Sequence, residues 1–276
     1  MEQLAIWVAV GFLIGSIGTI IGAGGGFLLV PLLLFARPEF TPEQITAISM
    51  AIVAANAVSG SIVYAKSKRI DFRAGLIFAA FTIPGSVIGA YLTKYVPQHV
   101  FSIGFGILLT LLAIYLFVKN AKKAPATTRP IHKRAPGWRT HSLTDATGEH
   151  FTYSYNQTYG IVISILVGFI SPILGIGGGI IHVPAMVQLL RFPLYIATAT
   201  SHFVLAIMAT ITVIVHVMNG VYNDRDVITL VLALAAGVIP GAVTGAKISH
   251  HIPTSIVIRV MAVCLGLVGM RILLKG

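Results

Sequence analysis

The sequence predicts an all-α polytopic membrane protein made of two homologous, inverted repeats. Each repeat has about five hydrophobic segments, one of them a Gly-rich broken or re-entrant helix. Three observations lead there. Charged residues are only 10% of the chain and hydrophobic residues 56%, too little charge for a soluble domain of this length. Apolar runs near the 20 residues needed to cross a bilayer alternate with short polar loops. Finally, the chain repeats itself. Gly22-Ala23-Gly24-Gly25-Gly26 with Pro31 returns as Gly175-Ile176-Gly177-Gly178-Gly179 with Pro184, and Ile83–Ala90 returns as Ile239–Ala246 at its Ile, Pro, both Gly and Ala. Two matched motifs in the same order establish a duplication.

The first apolar run, 4–22, contains Gly11, Gly15, Ser16, Gly18 and Thr19, small residues that allow close helix packing. It lacks a basic start and continues uncharged to Ala36, so it reads as mature membrane structure rather than a signal peptide. The glycine cluster cannot be ordinary helix interior, because each glycine costs roughly 1 kcal/mol there and the proline removes a hydrogen bond. The piece 24–36 is too short to cross alone, which makes it a half-helix or re-entrant arm. Spanning runs follow at 44–65, 74–93 and 99–118, with Thr41-Pro42-Glu43 as a helix start. The second half replays this order from Tyr159, with spans at 195–218, 227–246 and 254–274. The expected divisions are a first repeat at 1–118, a basic linker at 119–157 and a second repeat at 158–276. In the linker, Trp138–Leu143 and His150–Tyr155 flank Asp145-Ala146-Thr147-Gly148 and predict a β-hairpin outside the membrane.

The net charge of +11 does not mark a nucleic-acid partner, because 11 of the 19 Lys and Arg fall in the loops 66–73 and 119–139. That placement sets topology and puts loops 66–73 and 119–157 in the cytoplasm. The counterpart of 66–73 in the second half, 219–226, holds two acids and one base, as an inverted repeat requires. Arg271 and Lys275 then lie outside, against the rule, and a parallel repeat of four crossings per half is the alternative. The single cysteine, Cys264, excludes a disulfide or zinc framework within the chain. No metalloprotease, serine-hydrolase or paired-carboxylate motif occurs in the membrane segments, so the chain does not read as an enzyme, and no cofactor or metal is expected.

Two hydrophobic halves, each opening on Gly-x-Gly-Gly-Gly with a nearby Pro, each carrying Pro-Gly-x-x-x-Gly-Ala, and joined by a basic loop, resemble the sulfite exporter TauE/SafE family of membrane permeases. The resemblance covers essentially the whole chain except 120–157. It implies secondary transport of small sulfur-containing anions, such as sulfite, sulfoacetate or other organosulfonates, across a bacterial inner membrane. The runners-up are a passive anion channel and a permease for a different anion such as a carboxylate.

The residues fit an anion on their own chemistry. A helix begun at a glycine cluster offers free N–H groups and a positive dipole end, and glycines let an anion approach the backbone. Gly24, Gly25, Gly26, Gly177, Gly178 and Gly179 are therefore the candidate backbone site. No Asp or Glu lies in a spanning core, which argues against a cation path. Ser49, Asn56, Thr200 and Ser201 are candidate side-chain donors, with Ser49 and Ser201 in equivalent positions when Ala47 is set against Ala199. The simpler role of such a Ser or Thr is a bond to a carbonyl one turn back. His182 and His202 are candidates for holding the anion or a coupling proton, the simpler role being a neutral bond between helices. His216 is expected near a membrane end, and Arg259 is expected to snorkel to the headgroups.

Overall fold

The computed structural model describes residues 2–120, 137–249 and 254–275. The stretch 121–136, part of the basic linker expected above, lies outside the described residues. The first half folds as α1 (Glu2–Ile21), α2 (Gly26–Ala36), α3 (Pro42–Lys66), α4 (Phe72–Leu92), a 3-10 turn at Thr93–Tyr95 and α5 (Gln98–Asn120). Strands β1 (Trp138–Thr144) and β2 (His150–Asn156) form an antiparallel hairpin, with Trp138 opposite Asn156 and Thr144 opposite His150. The second half is α6 (Gln157–Leu174), α7 (Gly179–Gln188), α8 (Leu194–Met218), a 3-10 turn at Val221–Asn223, α9 (Arg225–Ile248) and α10 (Thr254–Lys275). Among the described residues five helices therefore precede the hairpin and five follow it, and seven are long and apolar enough to cross a membrane. Leu13, Leu111, Leu166 and Leu232 are each more than half exposed on outward faces, a surface suited to lipid rather than water. The fold is that of an all-α polytopic membrane protein.

Helix boundaries follow local chemistry. Thr41 and Gln44 form a capping box ahead of Pro42 at the start of α3. Asp71 and Asp224 accept first-turn N–H bonds at the matching starts of α4 and α9.

Packing exchanges the halves. Helix α1 lies on α9 and its counterpart α6 lies on α4, while α3 pairs with α8 and α5 with α10. The first two contacts are glycine seams. Gly11 faces the Leu234 backbone, Gly15 faces Val238, and Gly245 faces Ser16, so α1 and α9 run in the same direction. Gly168 against Thr82 and Gly89 against Phe169 make the same parallel seam between α6 and α4. Helices α3 and α8 run oppositely: Gly60 meets His202, whereas Met50 and Val53 cluster with Leu205, Met208 and Ala209.

Each half opens with a hairpin of one long and one short helix. Arg37, just after α2, lines a crevice with Ile6 and Trp7 of early α1. Phe192, just after α7, packs on Tyr155, which immediately precedes α6. Both short helices thus return toward the end from which their long partner began, as a re-entrant arm does.

Candidate functional site

Six glycines make the turns between the long and short helices. Gly22, Gly24 and Gly25 have φ of 79°, 75° and 85°, and Gly175, Gly177 and Gly178 have 66°, 78° and 68°. Side-chain-bearing residues rarely hold that left-handed backbone, so the pattern of the two clusters is a geometric requirement met twice. Gly25 and Gly178 are the left-handed N-caps of α2 and α7, and neither helix has a side-chain cap. The first-turn N–H groups of Gly26 and Phe27, and of Ile180, therefore precede the intrahelical bonding pattern.

The two turns touch. A Cβ on Gly26 would strike Gly175 O and lie 2.9 Å from Ile176 C, and one on Gly179 would strike Gly22 O and lie 2.6 Å from Ala23 Cα. Gly24 and Gly177 both border Val53, near the middle of α3. The positive ends of two half-helices thus converge beside the centres of the crossing helices.

Side chains cross-brace the junction symmetrically. Ser49 Oγ donates to Gly175 O at 2.6 Å, and Ser201 Oγ donates to Gly22 O at 3.5 Å. The expected equivalence of these serines is visible in that exchange, and each hydroxyl proton is directed to the opposite half's first glycine rather than to a carbonyl one turn back. Asn56 behaves differently. Its Oδ1 accepts from Thr19 Oγ1 at 2.5 Å, while its Nδ2 is fully buried with no partner among the described residues. That amide lies against Gly18, which itself sits against Gly25 N. A buried N–H donor left unmade costs about 1–3 kcal/mol, so Asn56 holds a donor next to the start of α2 at a cost to the fold.

His202 is also fully buried. It packs on Gly60 and edge-on to Tyr64, with the Gly22 backbone alongside but no well-formed hydrogen bond to either ring nitrogen. Tyr64 OH donates to Thr19 O at 2.9 Å. Thr19, Asn56, Tyr64, Ser201 and His202 thus surround the end of α1 and its glycine turn.

Two candidates lie elsewhere. Thr200 accepts from Asp71 N–H at 3.0 Å, at the turn between α3 and α4. His182 points to Ser164 Oγ at 3.4 Å and stacks edge-on to Phe78, away from His202. Outside the candidate set, His216 is near the end of α8, as expected, but fully buried, and Arg259 is exposed.

Sequence reasoning missed Ser171 and Tyr64. Ser171 Oγ is buried and has no partner among the described residues, 3.2 Å from where a Gly178 Cβ would sit. The available signal was its position four residues before Gly175, matching Gly18 four residues before Gly22. It also missed Asp71, in the loop 66–73, which binds His141 and Tyr153 of the hairpin. Burial acts to raise this carboxyl, but hydrogen bonds from His141, Ala74 N–H and Tyr153 outweigh it and hold it below the usual range.

The model of the family described as sulfite exporter TauE/SafE matches residues 7–272. The chain is a member of the TauE/SafE family. Its similarity to curated relatives runs over most of the chain. It is 34% identical over 280 residues to the probable membrane transporter protein YunE of Bacillus subtilis, covering 99% of this chain and 98% of that one. It is 25% identical over 281 residues to the probable membrane transporter protein MJ0441 of Methanocaldococcus jannaschii, covering 98% and 96%. A probable membrane transporter protein of Xylella fastidiosa is 24% identical over 255 residues, covering 92% and 88%. No solved structure matches the chain significantly. This TauE/SafE member is a multi-pass membrane transporter, and the glycine junction lies inside the matched region.

Proposed function

We propose that the chain is a secondary transporter of small sulfur-containing anions, such as sulfite, sulfoacetate or another organosulfonate. It works in export across the cytoplasmic membrane, by alternating access around the junction of α2 and α7. The observation that carries this reading is the junction itself: two uncapped half-helix N-termini converge, and the unpaired Asn56 amide is buried beside one of them. Oriented N–H groups and dipole ends stabilise an anion without a counter-charge that would have to be desolvated. Because the two turns are in contact, an anion enters only when they part, and access from each face follows the movement of one half against the other.

The exchanged seams support an inverted repeat. With loops 66–73 and 119–157 cytoplasmic, α3 and α5 run inward and α4 outward, while α8 and α10 run outward and α9 inward. The α1–α2 hairpin then enters from outside and the α6–α7 hairpin from the cytoplasm. A proton is the natural coupling ion, carried by His202, since the acids of the chain lie outside the spanning cores.

A thermal-shift screen of purified protein tests this reading with sulfite, sulfate, thiosulfate, sulfoacetate, taurine and matched carboxylates. Binding stabilises the folded state by roughly 2.7 kcal/mol at a hundredfold excess over Kd. A shift with a sulfur anion that disappears in Asn56→Ala is expected. A shift with carboxylates alone would replace the substrate class.

A further inference from the structure

We propose that the β1–β2 hairpin is a latch that holds the cytoplasmic gate of this transporter shut by fastening the first half to the second. The inference rests on the transport reading above for its purpose, and on the following contacts for its geometry.

The hairpin grips the α3–α4 turn of the first half through polar bonds. Asp145 Oδ2 accepts from Arg69 Nη2 at 2.9 Å and Nε at 3.2 Å, in an ion pair whose side chains are 9% and 0% exposed. Ala146 N–H donates to Ser67 O at 3.0 Å. His141 Nδ1 and Tyr153 OH both reach Asp71 Oδ2, at 2.5 and 2.7 Å.

It grips the second half through rings. Phe192, in the α7–α8 turn, lies with its ring centroid 4.6 Å from Tyr153 and 4.8 Å from Tyr155. The turn itself is tied across the halves, since Asp71 N–H donates to Thr200 of α8 and the Arg69 guanidinium lies over Tyr195. One short hairpin therefore contacts the α3–α4 turn, α4 and the α7–α8 turn together.

Its position gives the contact a consequence. Phe78 of α4 stacks edge-on to both Tyr155 and His182. The aromatic cluster thus runs from Phe192, past the end of α7, through Tyr155 and Phe78 to His182 in the first turn of α7. Opening a cytoplasmic path along α7 requires moving α7 and α8 from α4, which pulls Phe192 off the tyrosines and uncovers the Asp71 and Asp145 networks. Losing those ring contacts and the buried Asp71 N–H bond to Thr200 resists that motion.

The opposite face has no such insert between its turns. There the halves meet through Gln44 Nε2 to Asp224 at 2.9 Å, Asn219 to Glu43 at 3.5 Å and Tyr222 OH to Ala47 O at 2.8 Å, the first two exposed. Exposed polar pairs contribute little. In a chain whose halves otherwise match, the latch makes the faces unequal and sets the resting state closed to the cytoplasm.

Thiol accessibility reads this without any substrate. In a Cys264→Ser background, Ala197→Cys places a reporter at a buried position in the cluster under the hairpin. A membrane-impermeant maleimide is applied to the cytoplasmic face of inside-out vesicles. Asp71→Asn or Tyr153→Phe should raise labelling roughly tenfold, as expected when an open minor state grows from about 1% to about 10%. A disulfide between Ser67→Cys and Ala146→Cys should suppress that rise, and reduction should restore it. An unchanged rate in both variants overturns the latch. So does an equal rise at Ala47→Cys, buried at the other face, when the same reagent is applied to right-side-out vesicles, which would mean general loosening. Because no anion is involved, failure of the substrate class leaves the test intact, and failure of the latch leaves the thermal-shift result intact.

Discussion

Replacing Gly26 or Gly179 by alanine tests whether the two glycine turns really abut. Neither residue has positive φ, so added strain comes from contact alone. The Gly179→Ala methyl lands 2.6 Å from Ala23 Cα and nearer still to Gly22 O, and the Gly26→Ala methyl lands 2.9 Å from Ile176 C and nearer to Gly175 O. Ordinary contact begins near 3.4 Å, so backbone must shift by about 0.5–0.8 Å or more, in the overpacking range of about 1–3 kcal/mol. At roughly 2–4 °C per kcal/mol for a chain of this size, the expected loss is about 2–12 °C in Tm. The two variants should behave alike, since each pushes on the other half's first glycine. The control is Gly104→Ala in α5, where a Cβ meets nothing within 4 Å and the change should stabilise by up to about 1 kcal/mol. Differential scanning of the three purified proteins decides it. Wild-type Tm in both Gly26→Ala and Gly179→Ala would refute direct contact between the turns, and with it the shared anion site.

Two further outcomes follow from the hydrogen bonds. Ser49→Ala should lower stability by about 1–3 kcal/mol, leaving buried Gly175 O without its donor, while Ser201→Ala, whose bond is 3.5 Å long, should cost less; Tm values compare them. The hairpin should release in acid. Burial acts to raise the Asp145 carboxyl, but Thr147, Arg69 and backbone N–H groups of Glu149 and Thr147 hold it down to about 2, against an ordinary 3.8. A depressed folded-state value contributes stability that is full above 3.8 and is lost as pH falls through 3.8 toward 2. Fluorescence of Trp138, the first hairpin residue, in a Trp7→Phe protein should therefore change in that window. The change should flatten in Asp145→Asn.

The sequence by itself determined the membrane class, the duplication, the hairpin and the broken segments. These follow from local physics: charge density, run length, alternation between turn residues, and glycine and proline where a helix cannot continue. It also singled out Asn56, whose amide in an apolar helix demands a reason. Tertiary structure decided what touches what. Ser49 and Ser201 brace the opposite half, Thr200 serves the α3–α4 turn, and His182 and His202 occupy separate pockets. No local pattern encodes these outcomes. They depend on how α1 crosses onto α9 and α6 onto α4, so that each glycine turn finds its partner more than 150 residues away in the chain.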